Sequence, residues 1–260
     1  GYPTNLGAAA NLNYRRRNLI FFITYTASIR NTPGRRDLYQ ELYRNDSTFI
    51  TEQTFVHNLK GWNNSARAGL DYFFSPTSVL TGAYTYRLSK GKRFSDLRYY
   101  DYVQTTRNQL GYTFRTQDED ETEPNSEYVL SYRKTFARKG HELVADIRLL
   151  DNWENSDQLF GQQDYLPNGQ FARPYSLQRS VNYETEKQWL FQLDYVHPFG
   201  KEGKWEAGLR TSFRDMVNDF VLSERQENNQ FVSIPEFTNY FIYNEQIHAA
   251  YGIIGNKSGR

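Results

Sequence analysis

The chain has 260 residues, a formal net charge of +1, 17% aromatic residues and no cysteine. A near-neutral balance gives no reason to invoke nucleic acid, and the missing cysteines exclude disulfides, thiolate nucleophiles and cysteine-ligated zinc. No run approaches the about eighteen apolar residues of a membrane helix, the longest being Leu19–Ile23, so any crossing must be made by strands that hide their apolar half in alternation.

The alternation starts at once. Leu6, Ala8, Ala10, Leu12 and Tyr14 oppose Gly7, Ala9, Asn11, Asn13 and Arg15, and a period of two means an extended strand with two unlike faces. Arg16-Arg17-Asn18 turns the chain, after which Leu19, Phe21, Ile23, Tyr25, Ala27 and Ile29 share a face. A polar stretch from Asn31 to about Asn64 reads as a loop broken by Pro33-Gly34, with a short helical stretch expected at Leu38–Arg44. Ala66, Ala68, Leu70, Tyr72 and Phe74 form the next apolar face, Ser75-Pro76-Thr77-Ser78 the next turn, and Leu80, Tyr84, Tyr86 and Leu88 the face after it. Residues 90–124 are a charged excursion that extends the strands beyond the membrane. Tyr128, Leu130 and Tyr132 lead into the turn Ala137-Arg138-Lys139-Gly140, and Leu143, Ala145, Ile147, Leu149 and Trp153 lead out. A third excursion covers 154–183.

The clearest hairpin follows. Trp189, Phe191, Leu193, Tyr195 and His197 share one face, and after the turn Pro198 to Lys204 so do Trp205, Ala207, Leu209, Thr211 and Phe213. Each run of about ten residues, tilted near 45°, just crosses a bilayer core. Its charged alternates Glu206, Arg210 and Arg214 suit a wet lumen. A fourth excursion spans 215–243. The last strand sets Ile247, Ala249, Tyr251 and Ile253 against Gln246, His248, Gly252 and Ile254, with Asn256-Lys257-Ser258-Gly259 as a closing turn.

Short turns near 17, 76, 138, 201 and 257 thus alternate with loops of about thirty residues. Aromatics flank the turns: Tyr14, Phe21, Phe73, Phe74, Phe136, Phe199, Trp205 and Tyr251, where an interfacial girdle sits. The expectation is an all-β chain, an antiparallel transmembrane β-barrel segment. It would be an up-and-down meander of about nine strands with short periplasmic turns and long extracellular loops, in the outer membrane of a Gram-negative bacterium. A soluble β-solenoid or large sandwich is the competing architecture. Gly1-Tyr2-Pro3 opens without a signal peptide, so a processed or truncated piece is expected.

Asn11-Leu12-Asn13-Tyr14-Arg15, the basic turn and the strand ending Tyr25-Thr26-Ala27-Ser28 resemble an early barrel hairpin of TonB-dependent receptors, and more narrowly of their outer membrane protein β-barrel family branch. Tyr128–Phe136 with Gly140–Leu150, and Tyr243–Gly255, are similar to further hairpin strands of that barrel. The resemblance implies energy-coupled uptake of a scarce ligand, with a plug domain, the remaining barrel strands and the TonB system as partners. Neither a plug nor a TonB-contacting segment is matched here, residues 1–260 supply part of one barrel domain, and Ser258-Gly259-Arg260 stands where a closing aromatic is usual. The expectation is an internal piece of the barrel, embedded in outer-membrane lipid.

For binding, the aromatic sets in the long loops are the candidates: Tyr99-Tyr100-Asp101-Tyr102, and Trp153, Phe160, Tyr165, Phe171 and Tyr175. Such rings stack on a sugar or an aromatic chelate, or else pack loops together. Inward Arg67, Arg87, Arg148, Arg210 and Arg214 either line a path for an anionic solute or pair with Asp71, Asp146, Asp194 and Glu206. His57, His141, His197 and His248 lack ligand-like spacing, and the acidic run Asp118–Glu123 reads as a solvated loop tip rather than a calcium loop. Arg15, Arg16 and Arg17 fit either anionic lipid or a basic periplasmic turn. No catalytic constellation stands out, so no enzyme, cofactor or metal is expected. A structural or adhesive barrel without transport is the alternative function.

Overall fold

The computed structural model describes residues 3–44, 47–104, 108–200 and 202–256. They form one antiparallel meander, β1 (Thr4–Arg16), β2 (Leu19–Arg44), β3 (Ser47–Ser75), β4 (Ser78–Val103), β5 (Asn108–Thr135), β6 (Glu142–Tyr165), β7 (Ser176–Phe199), β8 (Gly203–Arg225), the short β9 (Phe231–Ser233) and β10 (Asn239–Asn256). The sheet order is β1-β2-β3-β4-β5-β6-β7-β8-β10, with β9 paired to β8. A single 3-10 turn, Pro235–Phe237, is the only helical element among the described residues. Nine long strands are present, as the alternation predicts, and no pairing joins β1 to β10 among the described residues.

Register divides the side chains into two faces. Ile23, Ala68, Tyr84, Tyr128, Leu149, Trp189 and Phe213 stand in one row of cross-strand partners. The opposite face carries Thr24, Arg67, Thr85, Glu127, Leu150 and Gln188. The first face is apolar only over a band. Above Ile29, Trp62, Leu88, Leu149, Trp189 and Phe213 it turns polar with Asn31, Lys60, Lys90, Asp151, Lys187 and Asp215. About ten residues separate each short turn from this boundary, which matches an apolar band about 25 Å tall on tilted strands.

The tilt can be worked from the turns. Leu19 opens β2 opposite Tyr72, three residues before β3 ends at Ser75. Glu142 opens β6 opposite Val196, three residues before β7 ends at Phe199. Each hairpin therefore ends lower than the last, by about one residue per strand. A stagger of about 3.3 Å per strand spacing of about 4.8 Å inclines the strands by about 35–40°, the inclination of barrel walls.

There is no second layer. The accessible surface is 17960 Å², against about 12,000 Å² for a compact globule of this mass. Ile50 is the one buried hydrophobic side chain among the described residues. A sandwich or solenoid would bury one apolar face in its own core; here that face is left for lipid.

Three expectations are corrected. Segments read as long loops are strands: residues 31–64 complete β2 and open β3, and 154–165, 176–183 and 215–225 likewise continue the hairpins, whereas 90–124 extends β4 and β5 as expected. Above the membrane both faces meet water, so polar residues line both sides of a paired strand. The helical stretch at Leu38–Arg44 is extended, Leu38 facing Gln53 and Leu42 facing Phe49. Asp118–Glu123 lies mid-strand in β5, not at a loop tip. The turn expected at Asn256–Gly259 falls largely outside the described residues.

β10 also departs from the simple pattern. Its Ile247, Ala249, Tyr251 and Ile253 sit opposite Ser212, Arg210, Gly208 and Glu206, on the polar face. The Tyr251 hydroxyl donates to Asp194 Oδ1 at 2.9 Å, and its ring covers Gly208, which has no side chain to obstruct it. His248 is left on the outward side, bonded to Thr211.

Candidate ligand-binding cleft

At the end away from the short turns, β6 and β7 are joined by a segment that folds back on the sheet. Leu166 N–H donates to Gln170 O at 2.8 Å and Gly169 N–H to Leu166 O at 2.9 Å, with Gly169 at φ +84°, a conformation glycine adopts freely. The Asn168 side chain accepts from Gln170 N–H at 3.0 Å. The segment after β8 repeats the device: Gln226 N–H donates to Gln230 O at 2.8 Å, and Asn228 accepts from Gln230 N–H at 3.0 Å. Both turns read Asn-Gly/Asn-Gln-Phe, and both place a phenylalanine, Phe171 or Phe231, just after the turn.

Between these turns the polar face holds a cleft of about 670 Å³. Arg115 from β5 lies over the Phe160 ring at 4.9 Å, and Arg225 over Tyr175 at 5.8 Å. Gln163 Nε2 donates to Arg173 O at 2.7 Å and Ser176 Oγ to Glu224 Oε1 at 2.9 Å. Arg173 approaches Asp164 at 3.9 Å. Gly161 is needed because a Cβ there would collide with the Tyr175 hydroxyl. The cleft thus presents guanidinium groups, carboxylates and two aromatic faces to one space.

A second cleft of about 650 Å³ lies below it and shares Phe160. It is built on Glu119, which is only 6% exposed. Glu119 accepts from Ser156 at 3.1 Å and Gln158 at 2.8 Å, and pairs with Arg93 at 3.0 Å. Burial raises the Glu121 carboxyl above its ordinary range, with Glu119 and Glu123 adding to the effect and Arg93 opposing it. Burial and then Glu121, Glu123, Glu184 and Glu119 do the same for Glu154. Among the described residues no group of three or more His, Cys, Asp or Glu is arranged to hold a metal ion.

The structure splits the sequence-chosen aromatics between faces. Tyr175 and Phe160 line the upper cleft. Tyr165 and Tyr100 instead face outward, joined through Tyr112, which stacks on Tyr165 at 4.4 Å and on Tyr100 at 5.8 Å. Tyr102 is outward and Tyr99 inward, since neighbours in a strand alternate. Trp153 is outward, against Tyr183 at 6.2 Å, in an upper girdle. Arg210 and Arg214 are inward at membrane level, well below the cleft, and Arg214 pairs with Glu186. Arg87 pairs with Glu127 at 3.5 Å, while Asp71 accepts from Thr81 at 2.6 Å, so the arginine–carboxylate pairs are not those the sequence suggested. Arg115, Tyr112, Arg173 and Arg225 were missed. The signal for Arg115 is its even spacing from Glu119 in a strand, which puts both on one face; Arg173 and Arg225 depend on how the connecting segments fold back.

Residues 134–260 match the outer membrane protein beta-barrel family. With the single-layer sheet, its apolar band and its strand tilt, this places the chain in the outer membrane of a Gram-negative bacterium as all-β, antiparallel barrel wall. No curated protein matches the chain. Among solved structures it is similar to OccD3 (OpdP) of Pseudomonas aeruginosa, at 8% identity and a TM-score of 0.14, covering 98% of this chain and 90% of that one. OccK1 (OpdK) of the same organism gives 8% and 0.13, covering 96% and 97%. Likenesses at this level carry no inference about function.

Proposed function

We propose that the chain is wall of an outer-membrane receptor that takes up a scarce extracellular ligand, captured in the upper cleft between the two Asn-Gly/Asn-Gln-Phe turns. The observation that carries the reading is the cleft itself: Arg115 and Phe160 on the polar face, and Tyr175 and Arg225 at its rim, line one space at the end farthest from the short turns. Paired guanidinium and aromatic groups recognise planar or anionic solutes through stacking and charge. The two free edges, β1 and β10, call for further strands to close the wall, since unmet backbone groups cost several kcal/mol each in lipid. A plug domain and the TonB system are the partners the family resemblance suggests. The reading is non-catalytic and invokes no cofactor.

One observation favours a second reading, an adhesive barrel without transport. The stack of Tyr100, Tyr112 and Tyr165 faces outward above the membrane, on the side turned away from the polar face that holds both clefts. Solute depletion from the medium separates the two. Wild-type cells should deplete one solute class, and cells lacking TonB or carrying Arg115→Ala with Tyr175→Ala should not. Equal depletion by all strains, with surface attachment lost in a Tyr112→Ala strain, would favour adhesion.

A further inference from the structure

We propose that the outward face of β3 and β4 binds the phosphate groups of the outer-leaflet lipid through Lys60, Lys90 and Lys92. Register brings the three together: Lys60 lies opposite Lys92, and Lys90 opposite Trp62. All three are exposed and stand on the face that carries Leu88, Tyr86 and Ile29 immediately below. Lys60 and Lys90 stand at the first outward positions above the apolar band and Lys92 at the next, which is headgroup height, and Trp62 beside them is 42% exposed, as interfacial anchors are.

Charge supplies the partner. Like charges directly opposite each other in a sheet are unfavourable, yet Lys60 faces Lys92, whose carboxylate partners are its own: Asp120 pairs with Lys92 at 3.2 Å and Asp118 attracts it from farther off. Asp118, the next outward residue of β5, faces Phe94. Lys60 and Lys90 make no ion pair among the described residues, and Asn31 and Thr122, their other cross-strand neighbours, are uncharged. A phosphate held at the membrane surface fills this gap without desolvating the ammonium groups. A contrast lies across the sheet, where Lys187, at the same boundary, stands between Asp151 and Asp215 and has carboxylate neighbours already.

The test uses the native protein extracted in nonionic detergent and titrated with fluorescent bis-phosphorylated lipid A, with dephosphorylated lipid A, and with inorganic phosphate as competitor. Each lysine near an anionic surface strengthens attraction about fivefold, so Lys60→Gln with Lys90→Gln should weaken binding of the phosphorylated lipid about 25-fold. Lys187→Gln should leave it unchanged. Wild type should prefer the phosphorylated lipid, lose that preference at high salt, and resist millimolar inorganic phosphate. Equal affinity for both lipids, an unaffected double variant, or displacement by inorganic phosphate (which would mean a free-anion site) overturns the proposal. If the double variant fails to fold, the wild-type comparison of the two lipids decides alone.

Discussion

Ile147 offers the sharpest test of which face meets lipid. It lies between Leu130 and Phe191 in the upper part of the apolar band, one outward position below Leu149, and is 39% exposed. In water a half-exposed isoleucine at such a position tolerates arginine to within about 0.5 kcal/mol. At the bilayer midplane an outward arginine costs about 2–4 kcal/mol, falling to about 0–1 near the interface. Ile147→Arg, between those depths, should therefore lower the folding equilibrium constant by about fivefold to thirty-fold, and Trp153→Arg, in the upper girdle, by fivefold at most. The inward neighbour Arg148 already carries the charge, and Arg148→Leu should stay within about 0.5 kcal/mol. Urea titration of the native protein folded into phospholipid vesicles measures all three. If Ile147→Arg proves as harmless as Arg148→Leu, the face assignment is wrong and with it the membrane reading.

Two further outcomes follow from the sheet edge and from the acidic lower cleft. Paired cysteines at Ala10 and Ala250 should form no intrachain disulfide under oxidation, because β1 and β10 run the same way and are not partners; efficient cross-linking in a monomer would show that the wall closes on itself. Glu121 and Glu154 have carboxyls raised above the usual 4.5, so the folded state keeps protons that the unfolded chain gives up. Their contribution to stability is full below pH 4.5 and lost as pH rises through the folded values. Glu121→Gln should make urea midpoints less dependent on pH above that point, and a steeper dependence would contradict the burial argument.

The membrane-level half of the wall was legible in the sequence because lipid marks one face. Thr24 to Ile29 and Trp205 to Phe213 alternate cleanly, and the turns between strands are short and polar. Above the boundary that mark disappears: β2 beyond Asn31 is as polar outside as inside, so a paired strand looks like a loop. Leu38, Tyr39, Leu42 and Tyr43 happen to fall at helical spacing, although cross-strand pairing holds them extended. The cleft was half legible. Phe160 and Tyr175 were chosen as aromatics, but grouping residues by nearness in sequence joined Tyr99, Tyr100 and Tyr102, which a strand must send to opposite faces. Tyr112, which links Tyr100 to Tyr165, appears only once β5 is placed between β4 and β6.

The central claim, a membrane-crossing wall with its cleft outside the cell, is tested most directly by single cysteines labelled on intact cells with a membrane-impermeant maleimide. Cysteines at Asn168 and Asn228, in the turns that frame the cleft, should react. Cysteines at Thr77 and Lys139, in the short turns, should react only after the outer membrane is permeabilised. Reaction at Thr77 and Lys139 with protection at Asn168 and Asn228 would contradict the account, turning the cleft toward the periplasm.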